Sequence, residues 1–231
     1  MNTKIKYLVF ILWFFPVSSS VFGQSTFQTG GLPSLNINKK LKNDWFLNSK
    51  IESRLLFQQG EINGEVDKNF TNVLTDFSLI GAKIIGLNSR IAFGYLIRFE
   101  EGVLIHRSIQ HYFVVQKLSG FRLAHRFLTD QTFSVNEEPE FRLRYRISSE
   151  LPFNGESVDP GEYYLKINNE YINSLQAMKY DLEIRLIPLI GYGISERFKI
   201  ETGLDYRVNS FLTNKTRNSY WMTLNFFIGI Y

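Results

Sequence analysis

Two groups of residues in this chain have types and spacings that could do chemistry. The first is His106-Arg107-Ser108. Side chains two apart on a β-strand share a face, so His106 could serve as general base to a Ser108 nucleophile. A third group should orient the imidazole. With a turn at Lys117 to Gly120, Gln131 comes opposite His106 and Thr129 opposite Ser108, and Asp130 is adjacent in sequence. The pair alternates with Ile105, Ile109 and Phe113, which assigns it to the polar face of its strand. The second group is cationic: Arg122 and Arg126 on one run, then Arg142, Arg144 and Arg146 on the next. Glu52, Asp76, Glu100, Glu150, Glu170, Glu183 and Glu201 take polar-face positions on neighbouring runs. Such a cluster can pair internally, since an unpaired buried charge is costly, or form a cationic constriction that selects anions. No metal set is visible: three scattered His and no Cys do not make a transition-metal site. The spacing of Glu61, Glu65 and Asp67 matches no defined calcium loop. Gly60, Gly64 and Gly86 read as turn glycines rather than a phosphate cradle. No cofactor is expected.

These groups sit on runs that alternate at period two, the signature of half-buried strands. Trp45, Leu47, Ile51, Leu55 and Phe57 oppose Asn48, Lys50, Glu52 and Arg54. Ile91, Phe93, Tyr95, Ile97 and Phe99 oppose Arg90, Gly94, Arg98 and Glu100. The same pattern continues through Phe141 to Glu150, Tyr163 to Tyr171, Asp181 to Leu186 and Phe198 to Arg207. The chain closes on Tyr220 to Tyr231, long enough to cross a bilayer as a tilted strand of about 9–11 residues. Tyr220, Met222, Leu224, Phe226, Ile228 and Ile230 share one of its faces. His111 and His125 fall on the apolar face near strand ends and read as interfacial. Links such as Asn88-Ser89 and Ser195 to Arg197 are short. Glu101 to Leu104, Asn173 to Lys179 and Asn209 to Arg217 are polar and mostly longer, as expected of periplasmic turns and extracellular loops. Pro152 to Gly161 is long where a short turn is expected, and Pro188 predicts a bulge or an early strand end.

Composition sets the compartment. Lys4 and Lys6, the apolar run Tyr7 to Phe15, then Pro16, serines and Val21-Phe22-Gly23 read as a cleaved signal peptide over residues 1–23. The formal charge of +4 on the whole chain falls with the removal of its two lysines and gives no argument for nucleic acid. There is no Cys, hence no disulfide framework and no thiolate chemistry. Aromatics are abundant, with 21 Phe and 12 Tyr, and Trp45, Phe57, Phe70, Phe99, Tyr163, Tyr171, Tyr180 and Phe198 crowd the strand ends, where membrane girdles belong. The expectation is an all-β, closed antiparallel transmembrane barrel over residues 45–231. Residues 24–44 supply an N-terminal segment with one or two extra strands. Ten strands put both ends in the periplasm, and twelve is the alternative. A monomer in outer-membrane lipid is expected, with Tyr231 and Phe227 as an aromatic terminal signal for the barrel-assembly machinery. A soluble β-sandwich binding a partner is the competing fold, because its alternation would look the same.

The run Ile37 to Trp45 leading into Lys50-Ile51-Glu52-Ser53-Arg54, then His106-Arg107, Phe121 to Phe127 and Phe141 to Arg146, resembles the domain of unknown function 2490 family. The resemblance implies a small outer-membrane barrel of Gram-negative bacteria and lends a location and fold but no mechanism. The His-x-Ser pair is similar to that of outer-membrane phospholipase and lipid A deacylase enzymes, which implies an alternative lipid hydrolase built on His106, Ser108 and Gln131. Those enzymes work from the lipid-facing wall, whereas the alternation here assigns the pair to the lumen. The favoured reading is a non-enzymatic barrel with a charged, largely filled lumen that is structural or interacts with a small ligand or anion.

Overall fold

The computed structural model describes residues 26–135, 137–212 and 216–230. The leader assigned to residues 1–23 and the terminal Tyr231 lie outside the described residues. Eleven strands form the barrel: β1 Thr26–Lys40, β2 Trp45–Glu61, β3 Val66–Ile84, β4 Ser89–Glu100, β5 Val103–Leu118, β6 Phe121–Phe133, β7 Glu140–Pro152, β8 Tyr163–Gln176, β9 Lys179–Gly193, β10 Phe198–Asn209 and β11 Arg217–Ile230. Each pairs antiparallel with its sequence neighbours, and β1 closes the ring on β11. A single closed ring rules out the two-sheet sandwich.

The strand count differs from both ten and twelve. Thr26 to Gly30 and Asn36 to Leu41 look like two short strands in sequence but form one, β1, which runs through Gly30, Gly31 and Pro33. An up-and-down chain with an odd number of strands must close on a parallel pair, and β1 and β11 are parallel, with Thr26 opposite Arg217 and Lys39 opposite Ile230. The two ends of the described chain therefore lie at opposite ends of the barrel, not both at one end. Gly30 has a specific reason: an added Cβ would run into the Leu55 carbonyl and the Trp221 ring, and the β1–β2 register shifts beside it, between Thr29 and Gly30.

Loop lengths do not separate into short and long ends. The longest link, 153–162, shares its end with the two-residue turn 119–120, while the opposite end holds two-residue turns at Glu101-Gly102 and Ala177-Met178. β9 also runs straight through Pro188: pairing to β10 lapses at Ile187 and Pro188 and resumes at Leu186 opposite Tyr206 in unchanged register. Proline lacks the N–H for that rung, and neither a bulge nor an end follows.

The tight turn at Glu101-Gly102 governs the one reversed face. It sets Glu100 opposite Val103 and Arg98 opposite Ile105. Residues directly opposite one another point to the same side of a sheet, so the odd-numbered residues of β5 turn inward. Arg107 and Ile109 are buried, and His106, Ser108 and Gln110 face outward. The interior of β5 takes the apolar side chains: Ile109 packs with Leu96 and Leu128 inside the barrel. On β2 to β4 and β6 to β11 the alternating apolar positions face out, while Leu32, Ile187, Leu189 and Trp221 are apolar side chains that line the interior.

Candidate functional site

The lumen is lined by charge. Registers bring a row of side chains to one level: Arg126 opposite Arg146, Arg146 opposite Glu170, Glu170 opposite Arg185, and Arg185 opposite Arg207. Like charges directly opposite are unfavourable on a sheet. Two fully enclosed carboxylates offset them. Glu170 (0% exposed) accepts from Arg126 at 2.9 Å, Arg144 at 3.1 Å and Arg146 at 2.8 Å, with Arg185 at 3.8 Å. Asp130 (1% exposed) accepts from Arg142 at 2.6 Å and Arg144 at 3.4 Å, with Arg107 at 3.6 Å. A carboxylate has about four lone-pair positions, and Glu170 has four guanidinium neighbours.

Smaller pairs surround this core. Arg98 makes a two-point contact with Asp76, at 2.7 and 2.9 Å. Arg207 grips Asp205 in the same way at 3.0 and 2.7 Å. Lys50 pairs with Glu52 at 2.6 Å, and Arg185 with its strand neighbour Glu183. Glu201 accepts from Lys166 Nζ at 2.8 Å and from the Tyr164 hydroxyl at 2.9 Å. Tyr164 lies flat across Gly191, where any Cβ would strike its ring, which explains how a tyrosine fits inside so crowded a wall. Arg54 stacks on the buried Trp221 ring at 5.2 Å, beside an apolar cluster of Leu32, Leu56 and Trp221. What remains open is a central cavity of about 610 Å³ lined by Arg54, Arg126, Arg144, Arg146, His111 and Trp221 among others. A second hollow, about 560 Å³, opens at the end carrying the 210–216 link and is lined by Glu61, Glu140, Asp181, Glu183, Arg142 and Arg217.

The structure brings together Arg126, Arg142, Arg144, Arg146 and Glu170 of the expected charge cluster. Arg122 and Glu150 are placed elsewhere: they meet at 3.9 Å near the 119–120 turn, with Arg122 half exposed. Glu52 is on β2 with Lys50 and takes no part in the Glu170 group. Sequence reasoning missed Arg107 and His111, because the parity of β5 is set by a turn that alternation does not reveal. Asp130, Arg185 and Arg207 were visible as polar-face residues. Their convergence depends on register.

The His-x-Ser pair is on the outer wall, contrary to the lumen assignment. His106 Nδ1 is hydrogen-bonded to the Tyr95 hydroxyl at 2.9 Å. Ser108 donates to Gln131, which lies opposite Ser108, not opposite His106. Thr129 donates to Gln110 at 2.8 Å, and Gln110 and Gln131 bond each other at 3.2 Å. Base and nucleophile are each tied to a different neighbour, and the patch satisfies itself. Of the two other histidines, His125 is outward and bonds the Tyr145 hydroxyl at 2.8 Å. His111 faces the lumen, which corrects its interfacial reading. Phe227, expected to act in a terminal assembly signal, also points inward, with Lys166 Nζ 5.7 Å above its ring. Among the described residues no group of His, Cys, Asp and Glu could hold a metal ion.

The model of a family described as protein of unknown function (DUF2490) matches residues 29–219 of the chain, a span that takes in every charged residue of the lumen described above. No curated protein and no solved structure matches it.

Proposed function

This chain belongs to the DUF2490 family, and from that premise we propose that it is a small non-enzymatic barrel of the outer membrane whose lumen is closed to bulk flow by its own ion pairs and interacts with a small ligand or anion. The observation that carries this is the inversion of the wall. Phe77, Phe93, Phe99, Phe141, Leu143, Ile190, Met222 and Ile230 are exposed on the outside, while Asp130, Glu170, Glu201, Asp205, Arg107 and Arg207 are buried. In water that arrangement would leave apolar surface far beyond the patches a soluble monomer tolerates. In lipid it is the required one. Strands of 12 to 19 residues exceed the crossing length of about 9–11, and Trp45, Tyr163 and Phe198 mark one rim while Phe57, Phe70, Phe99 and Tyr180 mark the other.

The signal peptide over residues 1–23 supplies the export route in this reading. The aromatic terminus at Tyr231 addresses the barrel-assembly machinery, and the mature protein is a lipid-embedded monomer. The separate tethering of His106 and Ser108 supports the absence of hydrolysis. Fractionation and gel migration test the assignment: the protein should partition with the outer membrane and shift its mobility on boiling. Recovery as a soluble periplasmic protein would overturn it. In planar bilayers the closed lumen predicts silent insertion, and steady large conductance would exclude the closed state. Removing Tyr231 should lower outer-membrane yield, and an unchanged yield would remove it as the assembly signal.

A further inference from the structure

The arginine core holds more positive charge than its carboxylates neutralise. Arg107, Arg126, Arg142, Arg144, Arg146 and Arg185 are six guanidiniums, and the carboxylates they reach are four: Asp130, Glu140, Glu170 and Glu183. The shortfall is concentrated. Arg126, Arg144 and Arg146 all depend on Glu170, whose two oxygens also face Arg185, and Arg144 turns partly to Asp130. The Nε–H groups of Arg126, Arg144 and Arg146 are buried without a hydrogen-bond partner, as are both ring nitrogens of His111. These four residues line one cavity of about 610 Å³. Buried donors left unpaired are costly, and guanidinium forks match oxyanions geometrically.

We propose that this cavity is a binding site for a small divalent oxyanion of the phosphate or sulfate type, held by Arg126, Arg144 and Arg146 with His111 as an additional donor. The charge sets the class. The six guanidiniums exceed their carboxylates by two and Arg54 on the same cavity wall adds to the positive field, so a multiply charged oxyanion compensates more of it than chloride or a simple carboxylate. Multiple oxygens are also needed to reach donors on three strands, β5, β6 and β7. The route in is the lumen itself. At the end away from the acid-lined hollow, the cavity wall carries Asn36, Asn48, Lys50, Lys166 and Asn225 together with Glu52 and Glu201, and each of these two acids is paired with a lysine, Glu52 with Lys50 and Glu201 with Lys166. The site deepens the reading of a ligand-accepting outer-membrane barrel and rests on it for access.

The test uses the full mature protein, folded in detergent and verified by heat-modifiable migration. Calorimetric titration with inorganic phosphate at constant ionic strength should show saturable binding near one per barrel. Chloride and acetate should bind at least tenfold more weakly. Arg146→Gln should weaken phosphate at least tenfold, while Arg122→Gln, at the far turn, should leave it unchanged. Glu170→Gln supplies a second readout that a purely structural network would not give. It removes the competing carboxylate, so phosphate should bind more tightly and restore thermal stability lost by the substitution. Absence of saturable phosphate binding to the folded wild-type barrel, or destabilisation in Glu170→Gln that phosphate leaves untouched, would overturn the site while leaving the membrane assignment standing. Recovery of the protein from the periplasm would overturn the membrane assignment and leave the titration to decide the site.

Discussion

Glu170 and Asp130 are the side chains on which the interior depends most. Each is enclosed, and each holds several guanidiniums that have few other acceptors. Breaking a buried pair from one side is more damaging than never building it, because the partner charge remains. Glu170→Gln should therefore lower unfolding free energy by about 3–5 kcal/mol, read as a reduced urea midpoint for the loss of the heat-modifiable form. Replacing Lys50, which is partly exposed and pairs only with Glu52, should have a much smaller effect. The outer-wall patch makes the opposite prediction. Ser108 is hydrogen-bonded to Gln131 and not to His106. Phospholipid and lipid A esters should be left intact by the wild type and by Ser108→Ala alike; hydrolysis lost in that variant would return the pair to catalysis.

At the level of elements, the two-residue turns matter most, because they set which face each strand presents. Glu101 and Gly102 both take positive φ, at 49° and 81°, the conformation that suits the twist of a two-residue hairpin. Ala177 and Met178 do the same at 47° and 61° without any glycine. A left-handed backbone costs an ordinary residue roughly 1–2 kcal/mol. Met178 is 92% exposed, so Met178→Gly removes strain and no packing. It should stabilise the barrel by about 1 kcal/mol, measurable as a raised urea midpoint. Gly102→Val should destabilise by a similar amount, since nothing lies within 4 Å of an added Cβ and only the backbone is penalised. The alternation made the faces of nine of the eleven strands legible; β1 carried no assigned face. The alternation failed at β5 because Ile105, Ile109 and Phe113 form a convincing apolar face that a barrel can place inside when Leu96 and Leu128 are there to receive it.

For the whole molecule, closure rests on β1. It pairs with β2 on one side and with β11 on the other, so its removal exposes two strand edges at once, each a row of unpaired backbone N–H and C=O groups. A protein lacking residues 26–40 should give none of the heat-modifiable form, even with residues 1–25 fused directly ahead of Trp45. A compact, heat-modifiable product from that deletion would mean that β2 and β11 can close the ring themselves, as the ten-strand arrangement supposes.

The sequence by itself determined that this chain is all-β, built of alternating strands with aromatic ends and a charged face, because strand period and residue type are local properties; that the strands close into one ring came from the tertiary structure. It also marked Arg126, Arg142, Arg144, Arg146 and Glu170 as facing one way. Only the tertiary structure decided that there are eleven strands, that His106 and Ser108 look outward, and that six arginines converge on a few enclosed carboxylates. Those outcomes depend on turn length and inter-strand register. A one-residue change in either turns a whole strand over, and spacing along a single strand carries no record of it.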